Sequence, residues 1–426
     1  MFTAAPQSSD LAARIKAEAA RLGFAACGVL PAGATRTHAY YEAWLAADYA
    51  GAMGYLHRHA ALKRDPRALL PEARSVLALA HPYEAPLPTA PDAAPRGRVS
   101  RYAWGADYHG VLHAKLERLA AFIGEAAGHP VRSRPCVDSA PVMERELAAR
   151  AGLGWVGRNA MLIHWRLGSW LLLAELLLDL PLPPDVPSAP RPGRPTHPVP
   201  PPGPLAAAMG GTDPDLRESC GSCTACLSAC PTGAIVGDKT VDARRCLSYL
   251  TIELKGPIPV PLRPALGEWV FGCDICQEVC PWNRRVPTLA AGTEPAFRAT
   301  AEAAHPSLVA LLGLDDAGFR ARFRHTPLWR PRRRGLLRNA AIVLGNRLAE
   351  ARASGQAPPP DALAALRGAL DDAEPLVRGA AAWALGHAAP AVAHEWLAGA
   401  LEREADPQVQ AELRAALQGA PAADER

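Results

Sequence analysis

The chain has 426 residues, which at about 100–200 residues per domain implies two to four domains. Hydrophobic residues make up 49% and charged residues 21%, which excludes a wholly disordered chain. The 43 prolines are clustered without a triplet period, which excludes collagen, and a formal charge of +4 is too small to demand a polyanionic partner by itself.

In chain order, Asp10 to Phe24 (DLAARIKAEAARLGF) has the spacing of an amphipathic helix with mixed charge, not that of a secretory signal. Helix patterns at Leu11–Leu22, Val111–Phe122 and Pro141–Ala151 alternate with short apolar runs at Ser75–Ala80 and Ala160–His164. Residues 1–180 therefore read as one mixed α/β domain, α/β or α+β, with strand order left open. Trp170 to Leu180 (WLLLAELLLDL) has 11 residues and carries Glu175 and Asp179. It is too short and too acidic to span a bilayer and reads as a buried strand or helix, so no membrane association is expected. The turn Gly152–Asn159 (GLGWVGRN) has neither a dinucleotide nor a Walker spacing.

Residues 181–204 hold 12 prolines in 24 positions, a linker or insertion with polyproline character, placed at 181–215. From about 305 to 420 the chain turns helical and rich in Ala and Leu. Leu336–Gly345 (LLRNAAIVLG) and Leu376–Gly386 (LVRGAAAWALG) resemble one another about 40 residues apart, with helix patterns at Asp361–Leu370, Ala393–Arg403 and Val409–Leu417. That period suggests a short all-α HEAT-like array, against the plainer alternative of a helical bundle.

Eight of the 10 cysteines fall between Cys220 and Cys280. Cys220-x2-Cys223-x2-Cys226-x3-Cys230-Pro231 has the spacing of bacterial ferredoxins, whose fourth cysteine ligates the other cluster. Cys246 and then Cys273-x2-Cys276-x3-Cys280-Pro281 follow. The crossover rule assigns Cys220, Cys223, Cys226 and Cys280 to one [4Fe–4S] cluster, and Cys273, Cys276, Cys230 and Cys246 to a second. Zinc is the competing reading, but it favours pairs of cysteines separated by a loop, not four within one short run. A two-[4Fe–4S], ferredoxin-like module is expected over about 216–290. Thiolate ligands need a reducing compartment, which fits the cytoplasm. Cys27 and Cys136 read as small buried hydrophobes.

Phe319 to Arg338 (FRARFRHTPLWRPRRRGLLR) contains eight arginines and no acidic residue, with His325 and Trp329 among them. Arg324, Arg330, Arg332, Arg333, Arg334 and Arg338 could neutralise phosphates, and the aromatics could stack on unpaired bases. A solvated basic surface, or one facing an acidic protein, is the plainer reading.

Long motifs then become specific. Asp138–Asn159 (DSAPVMERELAARAGLGWVGRN), Cys220–Ala234, Arg245–Glu253 (RCLSYLTIE), Cys273–Asn283, Ser100–His109 (SRYAWGADYH) and Gly335–Asn346 all resemble the epoxyqueuosine reductases, in order along nearly the whole chain. The resemblance implies an α+β multidomain enzyme. Its parts would be an N-terminal cobalamin-binding domain of nitroreductase and reductive-dehalogenase type, the two-cluster module and the helical repeats. It implies reduction of epoxyqueuosine to queuosine at the tRNA wobble position, with cobalamin and two [4Fe–4S] clusters as cofactors. It implies Asp138 as proton donor, with Ser248, Cys273, Asp274, Leu162 and Leu173 against the cobalamin, and Arg145 facing the tRNA. The partners would be the tRNA anticodon stem-loop and an electron donor the sequence does not identify; a monomer is expected.

Several features depart from the pattern. Arg158 stands where the family commonly has Lys, the DxHxxG cobalamin motif is absent because Gly110 follows His109 directly, and residues 102–104 offer no cysteine. Without the resemblance, Asp138 would read as a helix N-cap ahead of Pro141 and Glu144. A reductive dehalogenase acting on a small substrate is the rival enzyme. A ferredoxin-like carrier would leave the first 180 residues idle, and a non-enzymatic RNA-binding repeat protein would leave the cysteines idle.

Overall fold

The computed structural model describes residues 6–83, 85–90, 92, 94–185, 220–237, 239–285 and 294–418. The proline-rich stretch expected at 181–215 falls outside the described residues from position 186 onward. The chain divides into two compact units, each built from several segments.

The first unit comprises Met1–Pro86, Asp107–Arg244 and Asp274–Arg298. Its core is a sheet of β1 (Ala26–Pro31), β2 (Ser75–Pro82), β3 (Ser133–Cys136) and β4 (Leu171–Leu178). The order is β1-β2-β4-β3 and every neighbouring pair is antiparallel. The unit is therefore α+β, not a parallel α/β sheet. β2 is buried at all 8 positions, as a strand must be when helices cover both faces of its sheet. The acidic run at Trp170–Leu180 resolves into β4, and its Glu175 is carried into the interior.

Helix α1 (Pro6–Arg21) buries Ala12, Ile15 and Ala19 on one face and packs on α2 (Tyr108–Ala127). Helix α3 (Glu144–Arg150) lies over the sheet face that carries Val76, Ala78, Leu177 and Cys136, with Leu147 and Ala148 in the same apolar cluster. The strand expected over Ala160–His164 shortens to Leu162–Ile163, paired antiparallel with Trp155–Val156. Gly154 allows that pairing: it has φ +154, and a Cβ there would lie 2.1 Å from the Ile163 carbonyl oxygen. Burial pushes the Cys27 and Cys136 thiols up to about 12, so both stay protonated and inert.

The second unit comprises Leu87–Ala106, Arg245–Cys273 and Ala299–Arg426. Neither boundary of the expected 216–290 module coincides with this division. Residues 245–273 belong with the helices, and Arg338 and Asn339 show why. Arg338, only 1% exposed, donates to the carbonyls of Leu250, Leu254 and Gly256 at 2.6, 2.8 and 2.5 Å. Asn339 donates to the carbonyls of Thr251 and Val270, each at 2.8 Å.

The helices are α4 (Arg332–Ala353), α5 (Pro360–Ala369), α6 (Pro375–Ala388), α7 (Pro390–Arg403) and α8 (Pro407–Gln418). The internal repeat has a packing cause. α4 lies against α6 and α6 against α8. A Cβ on Gly345 would meet the Ala384 Cβ at 2.7 Å, and one on Gly386 would meet the Ala416 Cβ at 2.7 Å. Each repeat thus ends on a glycine that lets the next helix approach.

Candidate active site and cluster cradle

Asp138 follows β3 and sits at φ +43, a left-handed conformation that a non-glycine residue holds only when its surroundings impose it. Two aromatic side chains from the first turn of α2 converge on it. Tyr108 Oη donates to Asp138 Oδ2 at 2.7 Å, and His109 Nε2 lies 3.0 Å from the same oxygen. The two rings stack at 4.2 Å. Asp107, the N-cap of α2, accepts the His109 backbone N–H at 3.0 Å and faces its Nδ1 at 2.7 Å.

A histidine whose two nitrogens both face carboxylates is held as the cation. Burial would push it down. The bonds to Asp107 and Asp138 outweigh this and raise it to about 9. The His109 bond likewise holds Asp107 below the usual carboxylate range. Asp138 therefore does not stand alone as an acid in an apolar setting: two donors meet on one of its oxygens, and the His109 beside it carries its proton at neutral pH. The helix-cap reading of Asp138 fails, because α3 begins at Glu144 with Met143 at its N-cap and no side-chain cap bond. Tyr108 and His109 lie in the family-like motif Ser100–His109 and in the broken cobalamin spacing at Asp107–Gly110, and neither reading gave them a role. The available signal was Asp107 as a helix start, which puts the next two side chains on the first turn.

The same unit holds the first cysteine set. Cys220, Cys223, Cys226 and Cys280 line one cavity with Arg158 and Trp282. The turn is closed by Cys223 N–H to the Cys220 carbonyl at 3.1 Å, and Ala225–Ala229 is the helical turn that presents Cys226. Burial, and then Cys220, Cys223 and Cys280, push the Cys226 thiol up to about 12. The four sulfurs cannot all be thiolates without a positive centre among them, which is the charge balance an iron–sulfur cluster supplies. Among the described residues, no group of three or more His, Cys, Asp or Glu could hold a single metal ion; these thiols ring a cavity instead.

Arg158, 1% exposed, reaches the Gly221 carbonyl at 2.6 Å and places a fixed cation at this cavity. Trp155 packs with Cys280 and Cys220 and meets Trp282 edge-on at 4.9 Å. Its Nε1 is buried with no acceptor in the protein, so sulfur is the acceptor its neighbourhood has to offer. The cradle fits a cluster on donor set, charge and orphaned donor alike.

Of the second set, Cys230 and Cys276 belong to this unit, whereas Cys246 and Cys273 belong to the other. Cys230 Sγ accepts the Ala234 N–H at 3.2 Å, and Asn159 Nδ2 approaches the Cys276 carbonyl at 3.5 Å. Leu162 is buried and Leu173 half-buried in the apolar core around α3, and Asp274 is buried at the start of a helical turn. Ser248 precedes the π-helical turn Tyr249–Glu253 of the second unit.

The arginines expected at the tRNA divide into two groups. Arg145, Arg324, Arg332 and Arg334 are exposed, with Arg332 seated 4.7 Å over the Trp329 ring. Arg330 is exposed but pairs with Glu253 at 2.9 Å. Arg338 and Arg333 correct the expectation. Arg338 is buried against backbone carbonyls, and Arg333 pairs with Asp372 and donates to the Leu314 carbonyl at 2.7 Å. A periodic basic run on a helix must send some members inward, and here intrafold partners claim them.

Comparison with known proteins agrees over most of the chain. The family model described as epoxyqueuosine reductase QueG, DUF1730, matches residues 63–139; the 4Fe-4S double cluster binding domain matches 219–283; and HEAT repeats match 336–418. An epoxyqueuosine reductase of Xanthomonas campestris is 38% identical over 386 residues, covering 90% of this chain and 97% of its own length. That of Escherichia coli is 37% identical, covering 79% and 82%. The crystal structure of an epoxyqueuosine reductase with an epoxyqueuosine-modified tRNA-Tyr stem loop superposes with a TM-score of 0.78 at 30% identity, over 97% of this chain and 99% of the other. A Bacillus subtilis epoxyqueuosine reductase, solved with an aspartate catalytic loop swung out of the active site, gives 0.78 at 28% identity over 96% and 98%. The chain belongs to the epoxyqueuosine reductase family.

Proposed function

We propose that this oxidoreductase removes the epoxide oxygen of epoxyqueuosine in the anticodon loop of tRNA, leaving queuosine. The observation that carries the reading is the meeting of Tyr108 and His109 on Asp138 in the same compact unit as a four-thiol cradle. Deoxygenating an epoxide takes two electrons and two protons, and yields an alkene and water. Iron–sulfur clusters pass electrons singly. Cys220, Cys223, Cys226 and Cys280 would hold one cluster, and spacing assigns Cys230, Cys246, Cys273 and Cys276 to the other.

Cobalamin, when bound, would gather two electrons and deliver them to a carbon–oxygen bond. The Asp138 and His109 side chains are 52% and 39% exposed, an open face that a large flat cofactor could cover and dry. Leu162, Leu173, Ser248, Cys273 and Asp274 are the residues assigned to hold it. Asp138 takes the proton held at His109 Nε2 and passes it to the epoxide oxygen; Tyr108 fixes the carboxylate, and Asp107 fixes the imidazole.

Arg145, Arg324, Arg332 and Arg334, with Arg330 beside them, would contact phosphates of the anticodon stem-loop, and Trp329 would offer a stacking face. None of the described helices is long and apolar enough to cross a membrane. The reading places a monomer in the cytoplasm, where tRNA and reduced thiols coexist, fed by an external electron donor.

The assay is anaerobic reduction of epoxyqueuosine-containing tRNA by protein reconstituted with iron, sulfide and cobalamin, read by nucleoside mass spectrometry. Loss of one oxygen by the parent, and its abolition in Asp138→Ala with clusters intact, supports the reading. Retained activity in Asp138→Ala would remove Asp138 from the mechanism.

A further inference from the structure

The cysteines of the first cluster bring almost no charge of their own surroundings. Cys220–Gly237 (CGSCTACLSACPTGAIVG) contains no charged residue. Among the described residues that line the cavity with Cys220, Cys223, Cys226 and Cys280, Arg158 alone carries a charge.

The fold fixes where that charge sits. Arg158 lies in the tight turn that joins Trp155–Val156 to its partner strand Leu162–Ile163. The Gly157 N–H donates to the Met161 carbonyl at 2.8 Å, the Ala160 N–H donates to the Gly157 carbonyl at 2.9 Å, and Ala160 takes φ +60 to close the turn. Gly157 has no room for a side chain, because a Cβ there would lie 2.4 Å from Ile163 Cδ1. From this base Arg158 reaches a site where it is 1% exposed, and its Nη2 donates to the Gly221 carbonyl at 2.6 Å. Gly221 follows Cys220 directly, so the guanidinium is pinned one residue from a cluster ligand.

A guanidinium keeps its charge wherever it is placed. Four thiolates outweigh the charge of an iron–sulfide core, so a loaded cluster is a net anion, and reduction by one electron makes it more so. A fixed cation beside it stabilises the reduced form more than the oxidised form. At a buried site neither water nor salt screens that difference away. Local charge is one of the properties that set cluster potentials.

We propose that Arg158 is a positioning residue for electron entry: its charge raises the reduction potential of the first cluster, so that this cluster accepts and holds an electron from a weaker one-electron donor. This deepens the functional reading above and rests on it for the presence of the cluster. In the step, one electron passes from the external donor to the cluster, the donor is oxidised by one electron, and no bond forms or breaks.

The test is redox titration of the anaerobically reconstituted holoenzyme, without tRNA, followed by electron paramagnetic resonance. Cys226→Ala identifies the signal of the first cluster by altering it. Arg158→Gln keeps an amide that can donate to the Gly221 carbonyl and removes the charge. At a fixed solution potential, its ratio of reduced to oxidised first cluster should fall by about tenfold or more, because a unit charge a few ångströms away in a protein interior has at least that effect. For a one-electron couple, tenfold is a negative shift of about 59 mV. Arg158→Lys keeps the charge and should return the potential most of the way to the parental value, with the second cluster moving less in both variants. Iron content is measured alongside. A Gln variant that fails to load the first cluster while the Lys variant loads it would support the proposal too, since charge is then what the site requires. Equal potentials in parent and Arg158→Gln, equal negative shifts in the Gln and Lys variants, or loss of the first cluster from both would overturn it. The titration needs no turnover. A shifted potential in a protein that reduces no epoxyqueuosine would sink the functional reading and leave the role of Arg158 standing, whereas a parent that takes up no iron at this cavity would sink both.

Discussion

Asp107 holds His109 twice through one oxygen: Oδ1 accepts the backbone N–H at 3.0 Å and faces the ring Nδ1 at 2.7 Å. The same carboxylate starts helix α2 and orients the ring that meets Asp138. Helix formation and proton placement are thereby the same interaction seen from two sides.

Asp107→Asn separates them. The amide can still cap, so the helix cost should stay below the ~1 kcal/mol of losing a cap outright. The ring loses a charged partner. His109 has a raised folded-state value, so its charge and the stability it lends are complete below its ordinary value of 6.5 and are lost as pH rises through about 9. In Asp107→Asn that loss should move to lower pH, and the alkaline limb of kcat with it. NMR titration of the His109 ring against parent protein checks this; an unchanged midpoint would show that Asp107 does not hold the charge.

Trp155→Phe keeps the packing against Trp282 and removes one N–H. Hydrogen bonds to cluster sulfur raise reduction potential. The first cluster in Trp155→Phe should therefore reduce at a more negative potential, measured by redox titration followed by electron paramagnetic resonance. An identical potential would mean that the indole N–H is unpaired in the loaded protein as well.

Arg338 and Arg334 stand four residues apart on α4 and should behave oppositely. Arg338→Ala strands three carbonyls inside the fold and should cost about 2–4 kcal/mol in urea unfolding. Arg334→Ala should leave stability within about 0.5 kcal/mol. It should weaken tRNA binding and reduce the salt slope by about 1. Equal effects of the two on salt dependence would refute this division of the basic run.

Gly345→Val places a branched side chain where even a Cβ would lie 2.7 Å from the Ala384 Cβ. The α4–α6 contact should open at a cost of about 1–3 kcal/mol, read as a lowered urea midpoint. An unchanged midpoint would show that the repeat's glycine is not there for close packing.

Much of this was legible in the residues. Cysteine spacing is a local signal, and it anticipated the four thiols that line one cavity. The repeat of about 40 residues at Leu336–Gly345 and Leu376–Gly386 pointed to an array of helices. The run WLLLAELLLDL reads as a buried strand or helix, and it is the buried strand β4; that Glu175 is fully buried within it follows from strand pairing and the cover of α3, which the run alone does not specify. Tyr108 and His109 were given no role because their partner is some 30 positions away and only the fold joins them. Arg338 was misassigned because a run of arginines shows charge but not which member the helix turns inward.

The most direct test counts electrons against oxygen. Reconstituted protein, titrated anaerobically with a measured reductant in the presence of epoxyqueuosine-containing tRNA, should form one queuosine for every two electrons consumed. Asp138→Asn, with unchanged cluster spectra, should take up electrons without forming product. Electron uptake with no oxygen lost by the parent, or product formed by Asp138→Asn at the parental rate, would contradict the account.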